Sequence, residues 1–284
     1  MATKEHLGRL KQVDRRQRAL SACILGLEAL NQQLQSRNVK GHPMQVIHKV
    51  LALLHRIVYS AIRRICGLRL ADAKRYVDSD EVSGQLQVEL LKREGCVPTS
   101  RVLEVGCGCL NMGIQLIRYL EKGNYVGIDP NEWLRQAALR APDICRLVEE
   151  KQAKFLSMDD FDASNLGLKF DYIFSHSVLS HCAHWQLEQF LRHAAKVLAP
   201  EGRILASIRL AEGNPYGSPG TSNKNDSMHE EWQYPSASWF KLSTVVETAD
   251  KQGLMAVHTP EYTEFYTKTR PRDSHDWIVF SRLY

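Results

Sequence analysis

From about residue 100 onward, short apolar segments alternate with helical ones, and no other feature of the chain constrains its fold as tightly. Arg101–Val105 (RVLEV), Asn124–Ile128 (NYVGI), Lys154–Met158, Phe170–Phe174 (FDYIF) and Arg203–Ile208 (RILASI) read as strands, with helical segments such as Ile114–Leu120 and Trp185–Leu198 between them. Strands separated by helices, and apolar on both faces, build a parallel sheet covered on both sides. Ala199-Pro200-Glu201-Gly202 reads as the turn leading from a helix into the fifth strand. Met255–His258 and Trp277–Phe280 supply two later strands. The expectation is an α/β fold whose seven-stranded, mostly parallel sheet carries helices on both faces.

The turn after the first strand, Gly106-Cys107-Gly108-Cys109-Leu110-Asn111-Met112-Gly113, is rich in glycine. Glycine there lets the backbone approach a ligand with no Cβ in the way. The second strand ends in Asp129, about 20 residues further on, where a carboxylate can hold the two hydroxyls of a ribose. Strand, glycine turn, helix and acid together point to an adenosine-type ligand. The dinucleotide pattern G-x-G-x-x-G is not met, because Asn111 stands where its third glycine would fall, and there is no Gly-Lys-Ser/Thr. A nicotinamide site and a phosphate-binding P-loop are both disfavoured.

Glu104-Val105-Gly106-Cys107-Gly108-Cys109, Gly127-Ile128-Asp129, Met158-Asp159-Asp160, Phe170 to His181 and Leu198-Ala199-Pro200-Glu201-Gly202-Arg203 follow in order. This series resembles the motifs of the class I S-adenosylmethionine-dependent methyltransferases, and His275 to Phe280 fits that family's last strand. The resemblance covers about residues 100–210 and implies a Rossmann-like sheet, S-adenosylmethionine as cofactor and methyl transfer as activity. One departure is Leu110, where the family often has a third glycine, which implies a differently shaped loop near the methionine end of the cofactor.

By the same resemblance Glu104, Gly106, Cys107 and Gly108 face the amino-acid part of the cofactor. Asp129 takes the ribose hydroxyls, a role compatible with capping a helix ahead of Pro130. Asp159 or Asp160 takes the adenine amino group beside Met158 or Phe161, and Ser175 lies where the fourth strand ends. His176 and His181 are the candidate catalytic residues. Methyl transfer is an in-line displacement dominated by positioning, and an oxygen nucleophile gains from a base such as histidine. Hydrogen-bonded structural histidines at the cofactor lip are the plainer alternative. No metal is expected, because His176, His181 and His184 have no strong carboxylate or cysteine partner at ligand spacing in the sequence.

The charge is unevenly spread. Residues 1–75 hold 15 Lys/Arg against 4 Asp/Glu, a net +11, while residues 76–284 hold 22 against 28, a net −6. Val13, Leu20, Leu27 and Leu34 recur at heptad spacing, and after Gly41-His42-Pro43 a second apolar stripe runs from Met44 to Ile65. Residues 1–75 therefore read as a basic α-helical hairpin, an N-terminal extension to the domain of residues 76–284. Such a hairpin packs on that domain, pairs two copies into a homodimer, or touches an anionic membrane surface. Basicity alone, with no helix-turn-helix or RNA-binding aromatic pattern, disfavours a nucleic-acid partner.

Seven scattered cysteines and a charged N-terminus without an apolar core indicate a reduced, cytoplasmic protein, peripheral to a membrane at most. No apolar run approaches the ~20 residues of a membrane span. Residues 211–235 hold three prolines and three glycines and read as a lid loop. Within it, His229, Glu231, Trp232 and Tyr234 are candidate substrate contacts.

The expected function is methyl transfer to a small-molecule or carbohydrate-like acceptor, most readily on oxygen, with a histidine assisting deprotonation. Protein, RNA or other nitrogen acceptors are the alternative, although the Asn/Asp-Pro-Pro-aromatic motif of DNA amino-methylating enzymes is replaced here by Ser175-His176-Ser177-Val178. A non-catalytic tether acting through the basic helices, or a nicotinamide oxidoreductase, are the alternatives of other classes.

Overall fold

The computed structural model describes residues 81–212 and 238–283. The predicted basic hairpin of residues 1–75 and most of the predicted lid, including His229, Glu231, Trp232 and Tyr234, lie outside the described residues. Within them the order is α1 (Glu81–Arg93), β1 (Val102–Val105), α2 (Asn111–Tyr119), β2 (Tyr125–Ile128), α3 (Glu132–Leu139), α4 (Pro142–Lys151) and β3 (Lys154–Leu156). There follow β4 (Phe170–Ser175), α5 (His184–Val197), β5 (Leu198–Ile208), α6 (Leu242–Asp250), β6 (Leu254–His258), α7 (Pro260–Thr269) and β7 (Asp276–Arg282).

The strands form one seven-stranded sheet in the order β3-β2-β1-β4-β5-β7-β6. The first five are mutually parallel, and β7 runs antiparallel between β5 and β6. This is the predicted α/β architecture, with the Rossmann-like parallel half intact. Alternation along β1 shows why it forms: Leu103 and Val105 point to one face, packing with Leu187, Phe190 and Leu191 of α5, while Val102 points to the other, with Leu90 and Leu91 of α1 and Leu116 of α2. Both faces are buried, so every position of β1 is inside. A buried aliphatic side chain contributes about 1.5–3 kcal/mol of transfer free energy, and this central strand supplies several.

Two boundaries differ from the sequence expectation for a physical reason. The segment Ala199–Gly202 belongs to β5, because Phe170 of β4 pairs with Leu198 and Tyr172 with Arg203, and the intervening residues bulge out of the ladder. Trp239–Lys251 reads as a helix in the sequence, but α6 begins only at Leu242, because Phe240 is held as a bridge partner of Leu210. Glu94 at the end of α1 accepts hydrogen bonds from Arg203 of β5 and Tyr262 of α7, which ties α7 to the sheet. Among the described residues no helix is long and apolar enough to cross a membrane.

Candidate functional site

In a parallel sheet all strands end on the same edge, and ligands gather there. Here β1, β2 and β4 deliver Gly106, Asp129 and His176 to that edge. The glycine turn is tied to the neighbouring strand by Gly106 N–H and Cys107 N–H, which both donate to Ile128 O, at 2.8 and 3.1 Å. Gly106 has φ +79°, and a Cβ at this position would stand 2.2 Å from Val178 Cγ2. Glycine is therefore required twice over, by conformation and by space.

Leu110, the departure noted in the sequence, keeps the glycine-like backbone. Its φ and ψ are 64° and 33°, in the left-handed region, where it caps α2. A non-glycine residue there costs about 1–2 kcal/mol. Leu110 offsets that cost by burying its whole side chain among Cys107, Ala138 and Ile144. The loop keeps its course, and the missing third glycine is replaced by an apolar anchor.

Asp129 is buried and pinned. Its Oδ2 accepts from Gly108 N–H at 2.9 Å and its Oδ1 from Asn131 N–H at 2.7 Å. Asn131, rather than Asp129, is the N-terminal cap position of α3. Each carboxylate oxygen keeps a lone pair for a further donor. Glu104 is also buried, and accepts from the Tyr125 hydroxyl at 2.5 Å. Burial pushes its carboxyl up to about 8, Tyr125 opposing and Asp129 adding to the rise. Two buried carboxyls at adjacent strand ends suit a cationic ligand bearing hydroxyls, and the buried Ser175 Oγ beside them has no hydrogen-bond partner among the described residues. These residues fit S-adenosylmethionine. Cys107 is buried with its thiol pushed up by burial, so it lines the turn as a small apolar group.

The acids expected at the adenine end diverge. Asp159 and Asp160 are both exposed, but Asp160 Oδ1 accepts from Asp162 N–H at 3.1 Å, while the Asp159 carboxylate makes no hydrogen bond within the described residues. Met158 is half-buried against the core.

The two candidate catalytic histidines occupy different settings. His181 closes a short 3-10 helix, Leu179–His181, and is half-buried. His176 is gathered into a cluster that sequence spacing did not show. Its Nε2 stands 3.6 Å from Asp273 Oδ2, and its ring stacks on Trp277 (centroids 5.4 Å, 22° between planes) beside Tyr266 and His275. Asp273 Oδ1 accepts from His275 N–H at 2.9 Å and pairs with His275 Nδ1 at 2.8 Å, and His275 Nε2 meets Ser180 Oγ at 3.0 Å. Burial alone would raise the Asp273 carboxyl, but the facing His176 and His275 side chains hold it well below the usual range. Burial lowers His275, with Asp273 opposing.

Tyr266 is fixed in turn by Ser83 Oγ at 2.5 Å and Gln87 Nε2 at 3.1 Å, both from α1. Trp277 is the second residue of β7 and Tyr266 lies on α7, so the C-terminal segments build the wall on which His176 rests. The sequence held a hint in the aromatic cluster Tyr262, Phe265 and Tyr266, but nothing local linked it to the fourth strand.

Residues 103–204 match a methyltransferase-domain family. Among solved structures, the glycopeptide N-methyltransferase MtfA complexed with S-adenosylhomocysteine aligns at TM-score 0.52 and 13% identity, over 72% of this chain and 91% of that one. DesVI of Streptomyces venezuelae aligns at TM-score 0.51 and 15% identity, over 76% of this chain and 99% of that one. Magnesium protoporphyrin IX methyltransferase of Synechocystis PCC 6803 with bound S-adenosylmethionine aligns at TM-score 0.49 and 18% identity, over 79% and 91%. At these identities the MtfA and DesVI alignments speak to the fold alone, and the family match speaks to the activity. Residues 103–204, from β1 into β5, carry a methyltransferase domain.

Proposed function

We propose that the protein transfers the methyl group of S-adenosylmethionine to a hydroxyl oxygen of a small or carbohydrate-like acceptor, with His176 taking the hydroxyl proton. The observation that carries this reading is the placement of His176. Its Nε2 has no hydrogen-bond partner among the described residues, yet it faces Asp273 Oδ2 from the C-terminal end of β4.

S-adenosylmethionine supplies an electrophilic methyl group on a cationic sulfur. Glu104 and the Gly106–Gly108 backbone receive its amino-acid end, and Asp129 accepts from its ribose hydroxyls. Asp159, the acid without a competing hydrogen bond, takes the adenine amino group beside Met158. His176 orients the acceptor hydroxyl and accepts its proton as the new oxygen–carbon bond forms and the sulfur–carbon bond breaks. The imidazolium so produced is held by the Asp273 carboxylate and the face of Trp277. Solvent then takes the proton. Residues 211–235, with His229, Glu231, Trp232 and Tyr234, are proposed to supply further acceptor contacts.

The test is the position of the transferred methyl group. Incubation with methyl-labelled cofactor and a panel of hydroxylated and amino acceptors, read by NMR of the product, should place the label on oxygen. His176→Ala should lose turnover by on the order of a hundredfold with cofactor affinity near wild type, and His181→Ala should lose less. Label on nitrogen, or full turnover in His176→Ala, rejects the reading.

A further inference from the structure

Arg209 leaves the C-terminal end of β5, two positions after Ser207, whose Oγ accepts from Ser177 N–H at 2.8 Å directly after His176. Its backbone is zipped to the following segment, with Phe240 N–H donating to Arg209 O at 2.9 Å. The guanidinium lies 5.4 Å from the ring centroid of Trp239. It is half-buried, its Nε is buried without a hydrogen-bond partner, and it makes no ion pair within the described residues.

Two nearby acids are already engaged. Asp273 gives one oxygen to His275 and turns the other to His176. Asp276 accepts from Leu210 N–H through Oδ2 and faces His258 through Oδ1. Burial pulls the guanidinium pKa down and the charge of Asp273 restores only part of the loss. A guanidinium cannot shed its proton in a protein, so a half-buried one with no ion pair among the described residues is costly until an anion arrives. Its rigid fork matches carboxylate and phosphate oxygens.

We propose that Arg209 binds an anionic group of the methyl acceptor, a carboxylate or a phosphate, and so presents a neighbouring hydroxyl to His176. The acceptor class is then an acidic hydroxylated compound, such as a uronic acid or a sugar phosphate. The assignment rests on the hydroxyl-acceptor reading above and narrows it. Arg209 and His176 stand at the ends of the adjacent parallel strands β5 and β4, while the glycine turn and Asp129 belong to β1 and β2. The cation therefore serves the acceptor side of the edge.

The test is saturation-transfer NMR titration of the full-length protein with S-adenosylhomocysteine present, using glucuronate, glucose 6-phosphate and glucose as probes. Wild type should bind at least one of the acids about tenfold tighter than glucose, the value of one charge-assisted hydrogen bond. The tighter acid identifies carboxylate or phosphate. Arg209→Gln should abolish the preference, and Arg209→Lys, which keeps the charge but not the fork, should retain part of it. Both variants should bind S-adenosylhomocysteine as wild type does. Equal affinity for glucose and both acids in wild type, or a preference that survives in Arg209→Gln, overturns the proposal. So does a parallel loss of S-adenosylhomocysteine affinity in folded Arg209→Gln, which would give the guanidinium to the cofactor's own carboxylate. A nitrogen-methylated product with the anion preference intact would reject the hydroxyl reading alone, so the two failures are distinguishable.

Discussion

Asp273 stands with one carboxylate oxygen on His275 and the other 3.6 Å from His176, joining the loop before β7 to the end of β4. In the proposed mechanism this carboxylate holds the ring that takes the hydroxyl proton. Asp273→Asn keeps the shape and loses the charge. Its turnover should fall by on the order of a hundredfold while KM for the cofactor is unchanged. Single-turnover rates and a cofactor titration on the same preparation give the two readings, and equal losses in both would make Asp273 a merely structural residue.

The same carboxylate should leave a signature in acid. Its folded pKa lies well below the reference of 3.8, so it adds stability that is complete above that value and is lost as pH falls below it. Asp273→Asn removes this dependence. Denaturant midpoints followed downward from pH 5 should fall more steeply in wild type than in the variant.

Glu104 carries the opposite sign. Its folded pKa of about 8 lies above the reference of 4.5, so its contribution is complete below 4.5 and is lost as pH rises from 4.5 to 8. A cationic cofactor beside it favours the carboxylate, so binding at pH 7 should release a proton. Calorimetric binding enthalpies should vary with the ionisation enthalpy of the buffer, and the variation should vanish in Glu104→Gln. Enthalpies that are the same in every buffer would separate Glu104 from the cofactor.

Asp129 anchors two backbone amides and keeps lone pairs for a ligand. Asp129→Ala should weaken cofactor binding by about 1–3 kcal/mol, the cost of leaving buried partners unpaired. Unchanged affinity for S-adenosylhomocysteine would remove it from the ribose site.

Leu110 allows a test of backbone strain against burial. Leu110→Ala loses the buried side chain and keeps the left-handed strain, a cost of about 2–5 kcal/mol. Leu110→Gly loses the same side chain but relieves about 1 kcal/mol of strain. The glycine variant should be the more stable of the two, the reverse of their order in ordinary helices and strands. Thermal melts of the pair decide it.

The parallel half of the fold could be read along the chain because each of its signals is local. Apolar strands, the glycine turn and the acid closing the next strand lie within a few residues of one another, and Gly106 and Asp129 stand where their motifs put them. The sequence of α3 and α4, Glu132–Lys151, mixes charges with a broken apolar stripe, and these short helices rest on the glycine turn, on α2 and on each other, contacts that no local pattern shows. His176 was found by its position, but Asp273 and His275 were not. Their approach depends on an antiparallel strand inserted out of sequence order, and no spacing between Ser175 and Asp276 encodes that insertion. The same distance in sequence hides the carboxylate whose absence at ligand spacing argues against a metal site around His176.

The reversal of β7 has a consequence for how such an enzyme can change. A strand entering the sheet from this direction brings its leading loop, Arg270–His275, to the reactive edge, whereas a parallel strand would have left that loop on the opposite side. The half that grips the cofactor and the loop that reaches His176 are thus inherited on separate stretches of chain, and mutation can retune the second while the first stays as it is.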